Sequence, residues 1–274
     1  IDVLVIGGGI GAVVAALKAK ESGAESVVLV DKGAVGKSGN SAFAAGVMHV
    51  FFPGEDDLDD RVRRLTRSLG YLARQDMIRD HLQDSFRLVE DMQRWGVDFV
   101  KDGDVGGKIK RVRGRGQYGV ITFFSTQLMD ALRQAAQAAG VRQVNRVHVT
   151  DLLSRDGRVV GAAGFHTRSA DWYVFEAKST IIATGSTWYK GICPGHRDTS
   201  GDGFGMALRA GAELTGNDND MTANAMPARI DAGPGMNKFV GEGGIFVNRH
   251  GERFMENYNP TLKERSGLGL LTAF

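Results

Sequence analysis

One cysteine, Cys193, stands in 274 residues, beside 5 prolines and an aromatic share of 8%. A lone cysteine excludes an internal disulfide framework and any iron–sulfur cluster held by cysteines of this chain alone, and it fits a reducing, cytoplasmic compartment. Charge of one sign is also scarce: 34 Lys and Arg against 32 Asp and Glu leave a net charge of +2. That balance gives no electrostatic case for nucleic acid as a partner. No apolar run reaches the roughly 20 residues of a membrane-spanning helix, so no integral membrane segment is expected. The chain opens directly on "IDVLVIGGG" without Met or a charged leader and ends in "GLGLLTAF", which reads as a piece of something longer. What is plentiful is apolar surface: 42% hydrophobic residues suffice for one large or two ordinary soluble domains.

The first thirty residues carry the clearest local pattern. Val3 to Ile6 form a continuous apolar run, as a buried parallel strand does, and Gly7, Gly9 and Ala12 then satisfy the G-x-G-x-x-G/A spacing before "AVVAALKAK". Gly7 allows a tight turn, Gly9 lets backbone approach a pyrophosphate, and Ala12 keeps the following helix close to the strand. The amides at that helix start, Gly11 included, face the phosphates. A second apolar strand, "SVVLVD", ends in Asp31, placed to accept hydrogen bonds from an adenosine ribose. Gly114, Gly116 and Gly119 in "GRGQYG" repeat the spacing, but "KIKRVR" before them is no buried strand and no suitable acid follows, so this second match is rejected.

Farther along, Val62, Leu65, Leu69 and Leu72, then Ile78, Leu82, Phe86, Val89 and Met92, recur at helical spacing and predict two helices, the second stopped near Gly96. "STQLMDALRQAAQAAG" predicts a third, with a Ser/Thr cap and an end at Gly140. "VNRVHV", "RVVGAAGFH" and "WYVFEA" read as strands, the latter two pairing as a hairpin beyond an "RDG" turn. "KSTIIATGSTW" adds a short apolar strand running into Thr184 and Gly185.

Together, "DVLVIGGGIG", "LVDKG", "TIIATGS", "TSGDGFGMALRAGAEL" and "GEGGIFVNRHGERFMENYNP" resemble the flavoprotein subunit family of fumarate reductases and succinate dehydrogenases, which also includes L-aspartate oxidases. The resemblance implies an α/β fold: a Rossmann-like FAD-binding domain of glutathione-reductase type over about residues 1–240, with a helical insertion near 57–96 and a β-hairpin. Residues 241–274 would then begin an α+β capping domain.

The resemblance also implies where the cofactor lies. The polar loop Lys37, Ser38, Gly39 and Asn40 would line the pyrophosphate and the flavin edge, with Ser41, Ala45 and Gly46 next in the same segment. Lys32 beside Asp31, His148 and Val149, and Ala183, Thr184 and Gly185 join the expected cofactor positions. Thr199, Gly201, Asp202 and Gly203 supply the flavin-contacting step, with Ser200 as a one-residue spacer; Asp202 would cap the helix and bond ribityl or backbone groups. Some relatives bind flavin covalently through a histidine ahead of an Ala-Ala pair; aligning Ala44-Ala45 puts Ser41 in that place, so the FAD is expected to be non-covalent. Cys193 and His196 as nucleophile or metal ligands lack further ligands and a base partner, so no metal is assigned.

On the substrate side the pattern departs from dicarboxylate-handling relatives. Met226-Pro227 stands where a His-Pro pair is expected, and Leu268 lies near the position of a proton-delivering arginine, with Arg265 three residues early. Arg265 and Arg229 are the catalytic candidates; the fork of Arg229 suits a carboxylate. "KIKRVRGR" would attract an anionic substrate or a docking electron-transfer subunit, or else is a solvated loop. The expected activity is two-electron transfer between a small, anionic organic substrate and an electron-transfer partner such as an iron–sulfur subunit. Without a second credible dinucleotide motif NAD(P)H is not favoured as the reductant, and association with a membrane would come through such a partner. Two alternatives stay open, a sulfur-compound substrate and a non-catalytic FAD-binding electron relay.

Overall fold

The computed structural model describes residues 1–44, 46–103, 107–114, 117–122, 124–187, 195, 197–215, 243–258, 260 and 263. The chain folds as two compact units. The first comprises Ile1–Gly46, Met92–Asp98 and Thr122–Leu214; the second comprises Val47–Asp91, Phe99–Ile121 and Thr215–Phe274.

The first unit is built on a parallel sheet ordered β10-β1-β2-β6, from β1 (Val3–Ile6), β2 (Val27–Asp31), β6 (Arg142–Asn145) and β10 (Ser179–Ile182). Val3 stands opposite both Val27 and Ser179. The unbroken apolar runs of β1 and β2 follow from burial on both sheet faces, and Leu4, Val5, Leu29 and Val30 are fully buried. Each such side chain contributes about 1.5–3 kcal/mol. Helix α1 (Ile10–Glu21) buries Ala12, Val13, Ala16 and Leu17, the two alanines allowing close approach to the sheet. Lys18 and Lys20 in its last turn complement the helix dipole.

An antiparallel sheet of β7 (Val147–Arg155), β8 (Arg158–His166) and β9 (Trp172–Glu176) forms a second layer of this unit. One core joins the layers: Leu4, Ile6, Val28 and Val30 pack with Val147, Val149, Ala162 and Phe175. The single strand expected over "VNRVHV" is divided. Arg146 adopts a left-handed φ of 61°, so the chain leaves the parallel sheet at Asn145 and enters the antiparallel one at Val147. The "RDG" turn joins β7 to β8, with positive φ at Asp156 and Gly157 as a tight hairpin requires, and β8 pairs with β9 as expected.

Helix α2 (Asn40–Phe43) is a single turn, and α5 (Ser125–Ala138) buries Leu128, Met129, Leu132 and Ala136. The expected Ser/Thr cap of α5 is corrected: Phe124 is its N-cap, and the hydroxyl of Ser125, already helical, donates to the carbonyl of Ala44. Helix α6 (Asp202–Arg209) closes the unit.

The second unit holds an antiparallel sheet, β3-β5-β4, from β3 (Val47–His49), β4 (Val112–Gly114) and β5 (Gln117–Ile121), with helices α3 (Leu58–Ser68), α4 (Gln75–Arg94, its last turn in the first unit) and α7 (Met255–Tyr258). Asp57 caps α3, its carboxylate accepting from the Asp60 amide at 2.9 Å. Val62, Leu82 and Val89 are buried as the helical spacing predicts, whereas Leu72, beyond the end of α3, is exposed. Arg111 departs from the solvated-loop reading of "KIKRVRGR": it pairs with Glu55 and with the buried carboxylate of Asp56. Asp56 also accepts from Arg61 at 2.9 Å and from the Phe52 amide at 3.0 Å. Burial pushes the Arg61 guanidinium down, and Asp56 opposes that shift.

Candidate functional site

Where β1, β2 and β10 end, the first unit opens a cleft of about 340 Å³, a volume within the range of small-molecule and cofactor sites. It begins at Gly7. The Gly7 amide donates to the carbonyl of Val30 at 2.8 Å, while β10 continues alongside, Ala183 donating to Ile6 at 2.8 Å. A Cβ on Gly7 would lie 2.2 Å from the Ala183 oxygen, and its φ is +125°, so both space and backbone conformation demand glycine. Gly9 is the N-cap of α1 and brings no side-chain cap, and the first turn carries no acid. The first intrahelical bond, Val13 to Gly9, leaves earlier amides without helical acceptors. Ser41 takes one of them, its hydroxyl accepting from Ile10 at 3.0 Å. The Gly11 and Ala12 amides remain at the positive helix end, where an anion is favoured.

Asp31 stands at the end of β2. Its Oδ1 accepts from the Gly33 amide at 2.7 Å and from the Ser38 hydroxyl at 3.0 Å, which fixes the carboxylate. Its Oδ2 lies beside Gly8, whose added Cβ would fall 2.8 Å away, and Asp31 lines the cleft. Next to it, the Lys32 ammonium donates to Asp202 Oδ2 and to the Ser200 hydroxyl, each at 2.6 Å. His148 Nε2 stands 3.3 Å from the same Asp202 oxygen. Burial raises the Asp202 carboxyl, but Lys32, Ser200 and His148 outweigh it and hold it below the ordinary carboxylate range. Helix capping by Asp202 is therefore corrected: Gly201, in a left-handed conformation, is the N-cap of α6, and the Asp202 side chain is committed to Lys32.

Most expected cofactor positions converge here. Gly7, Gly9, Gly11, Asp31, Lys32, Ser38, Gly39, Asn40, Ser41, His148, Val149, Ala183, Thr184, Gly185, Thr199 and Asp202 all line the cleft. Others act behind it. Ala12 is fully buried beneath the loop. A Cβ on Gly203 would meet the Thr184 hydroxyl at 2.0 Å, so this glycine lets α6 start against the end of β10. Gly46 accepts from the Thr122 amide at 2.9 Å and is not part of the lining. Lys37 also departs from expectation: its ammonium pairs with Asp130 of α5 at 2.5 Å, turned to a carboxylate rather than to the cleft. Ala45, Arg229 and Arg265 lie outside the described residues, as do Cys193, His196 and Met226.

Ile6, Gly8, Ile10, Val30, Val147 and Asp198 line the cleft without having been expected there. Ile6 and Val30 had a signal, since ligands of open parallel sheets collect at the carboxyl ends of strands. Asp198 had none; its carboxylate accepts from the Gly39 amide at 3.3 Å, a contact between loops remote in sequence. Among the described residues no group of three or more His, Cys, Asp and Glu is placed to hold a metal, and no helix is long and apolar enough to cross a membrane.

The comparisons with known proteins agree with this geometry. A family described as an FAD binding domain matches residues 2–266. A fumarate reductase (CoM/CoB) chain of Methanothermobacter marburgensis is 29% identical over 272 residues, covering 94% of this chain and 49% of that protein. The alpha chain of adenylylsulfate reductase from Megalodesulfovibrio gigas is 27% identical over 277 residues, covering 86% of this chain and 40% of the relative. A solved E. coli quinol fumarate reductase superposes with a TM-score of 0.78 at 22% identity, over 93% of this chain and 44% of that one, which shows a shared fold. This chain spans about half the length of the curated relatives it matches. It belongs to the FAD binding domain family, and FAD is its cofactor. The residues present fit that group: a carboxylate oxygen beside Gly8 for ribose hydroxyls, helix-end amides for a diphosphate, and apolar walls from Ile6, Val30 and Val147.

Proposed function

We propose that the chain is the cofactor-binding part of an FAD-dependent oxidoreductase that moves two electrons between a small anionic substrate and an electron-transfer partner. The observation that carries this reading is the convergence of Asp31 and the start of α1, where the N-cap Gly9 brings no side chain and the first turn no acid, on one cleft, within a chain of the FAD-binding family. When bound, FAD supplies the two-electron chemistry; the residues of the chain hold and orient it. Asp31 accepts from the adenosine ribose, the Gly11 and Ala12 amides hold the diphosphate, and Ser38, Gly39 and Asn40 form the facing wall. Ser41, which binds the Ile10 amide, stands where some relatives carry the flavin-linking histidine and offers no imidazole there, so the cofactor is held non-covalently. Thr184, Gly185 and Thr199 border the flavin end.

Residues 1–240 form the FAD-binding domain in this proposal, and 241–274 begin a cap that closes over substrate. The Arg253–Glu256 pair, at 3.1 Å, belongs to that cap. Arg229 and Arg265 would clamp or protonate the substrate. The partner would be an iron–sulfur or similar electron-transfer protein, and the compartment cytoplasmic. A second reading, a sulfur-compound substrate, draws on the adenylylsulfate reductase relative together with Met226 in place of the histidine of dicarboxylate enzymes.

The test is to purify the full-length protein, record its absorption spectrum, denature it and identify what is released. Free FAD in the supernatant is expected. Flavin retained in the pellet would contradict the role of Ser41, and an absence of flavin would overturn the proposal. A turnover screen with an artificial electron acceptor, comparing Arg229→Ala and Arg265→Ala with the parent, then separates substrates; unchanged rates in both variants would remove both arginines from catalysis.

A further inference from the structure

The segment 198–202, which lines the cleft through Asp198, Thr199 and Asp202, is tied to three parts of the chain remote in sequence. Beyond β10, Ser200 forms a backbone bridge with Thr187, and Gly201 sits so close that an added Cβ would lie 2.7 Å from the Thr187 hydroxyl. Toward the loop 39–40, Asp198 accepts from the Gly39 amide at 3.3 Å. Just ahead of the segment, Gly195 touches the same loop, an added Cβ falling 2.9 Å from the Gly39 oxygen. At the end of β2 the tie is Lys32, whose ammonium donates to the Ser200 hydroxyl and to Asp202 Oδ2, each at 2.6 Å. Ser200 in turn bonds both oxygens of that carboxylate, at 3.2 and 3.0 Å, and His148 Nε2 lies 3.3 Å from Oδ2. The Lys32–Asp202 tie has a full charge at each end, which makes its hydrogen bond of the strong, charge-assisted kind.

We propose that Lys32 is a positioning residue: by holding Ser200 and Asp202 it seats the segment 198–202 at the cleft wall, and FAD retention depends on that seat rather than on a contact between the ammonium and the cofactor. The inference rests on the cleft being the FAD site. Of the three donors of the ammonium, two are committed to Ser200 and Asp202. Gly201, at a φ of 79°, has wide backbone freedom, so the entry into α6 is held by its contacts rather than by its own stiffness. Lys32 and Asp202 carry opposite charges, so a role through charge and a role through position predict opposite outcomes at Asp202. Were charge alone at work, loss of this carboxylate would remove a negative group from the cleft wall and hold the anionic cofactor better. Under positioning, loss of either partner releases the segment and weakens binding. The side chains of Lys32 and Asp202 are 29% and 26% exposed, so screening limits what the pair contributes to global stability, and its loss is felt at the cofactor first.

The experiment is a fluorescence titration of FAD into flavin-stripped full-length protein at one pH and ionic strength, for the parent, Lys32→Met, Asp202→Asn, the double variant and Lys32→Arg, with melting curves of the same flavin-stripped proteins. Each single change is expected to weaken binding by about tenfold, and the double variant by about tenfold as well, because both remove one and the same tie. Lys32→Arg keeps the charge-assisted bond and is expected to stay within about threefold of the parent. The melting curves are expected to follow that of the parent. Asp202→Asn binding as tightly as the parent, or more tightly, overturns the role, and so does a loss of about a hundredfold in the double variant, which would mean two independent contacts. Affinity lost in step with a lowered melting curve also overturns it, by reducing the pair to a tie within the fold. If Asp202→Asn does not fold, Lys32→Met against Lys32→Arg decides: equal weakness in the two contradicts positioning. A parent that binds no FAD overturns the site itself, and this role with it.

Discussion

The glycines of residues 7–12 and of 114–119 share one spacing in sequence and reach opposite ends. In the first, Gly7 turns the chain out of a buried parallel strand and α1 follows at once, so its free amides face a cleft that Asp31 borders. In the second, Gly114 and Gly119 belong to β4 and β5, an antiparallel pair whose amides serve the ladder. Glycine nevertheless meets a steric need in both. A Cβ on Gly7 would come within 2.2 Å of the Ala183 oxygen, and one on Gly119 within 2.1 Å of the Met48 oxygen. The spacing reports close backbone approach; a helix after it, and an acid at the end of the next strand, make that approach a binding site.

The largest effect that would break this comparison is expected at Gly7. Gly7→Ala combines the clash with Ala183 and a strained φ, and should destabilise the first unit by about 3 kcal/mol or more while emptying it of FAD, read by denaturant melting and by flavin content. Retention of full flavin content would contradict the geometry. Gly119→Ala sharpens the contrast: about 2 kcal/mol of stability should be lost from the clash with Met48, with FAD affinity unchanged. A matching loss of affinity would mean that β5 also serves the cofactor.

Ser41→Ala comes next. It removes the acceptor for the Ile10 amide and should lower stability by about 1 kcal/mol, measured by melting of the flavin-stripped protein, and leave the released cofactor as free FAD.

The smallest effect concerns Asp2, just ahead of β1. A hydrogen bond from Lys178, aided by the Ser26 amide, holds the Asp2 carboxyl at about 2, against an ordinary value of 3.8. A depressed acid stabilises the fold above its unfolded value, so the contribution is complete above pH 3.8 and disappears as pH falls toward about 2. Asp2→Asn should flatten that part of the acid-unfolding curve; an unchanged curve would place the acid sensitivity elsewhere.

The legible part of this protein is the part in which one residue type has one physical reason. Val3 to Ile6, Gly7 and Asp31 could be placed from order and spacing alone, because burial on two faces, a crowded turn and a strand-end carboxylate each restrict the choice of residue. Leu72 misled, since helical spacing continues in sequence after the helix has ended at Ser68. Arg146 gave no warning of its left-handed φ, and one expected strand became two. The side-chain pairings of Lys37, Asp198 and Asp202 were beyond sequence reasoning for a common cause: their partners, Asp130, the Gly39 amide and Lys32, are distant along the chain, and only the fold brings a long flexible ammonium or a loop carboxylate to one of several available neighbours.

The central claim, that the cleft at the end of β1 holds FAD through Asp31 and the start of α1, is tested most directly by titrating FAD into flavin-stripped full-length protein, parent against Asp31→Ala. Saturable binding in the parent and a loss of about tenfold or more in the variant, the weight of hydrogen bonds to a charged acceptor, is the predicted result. Equal affinity in the two proteins would contradict it.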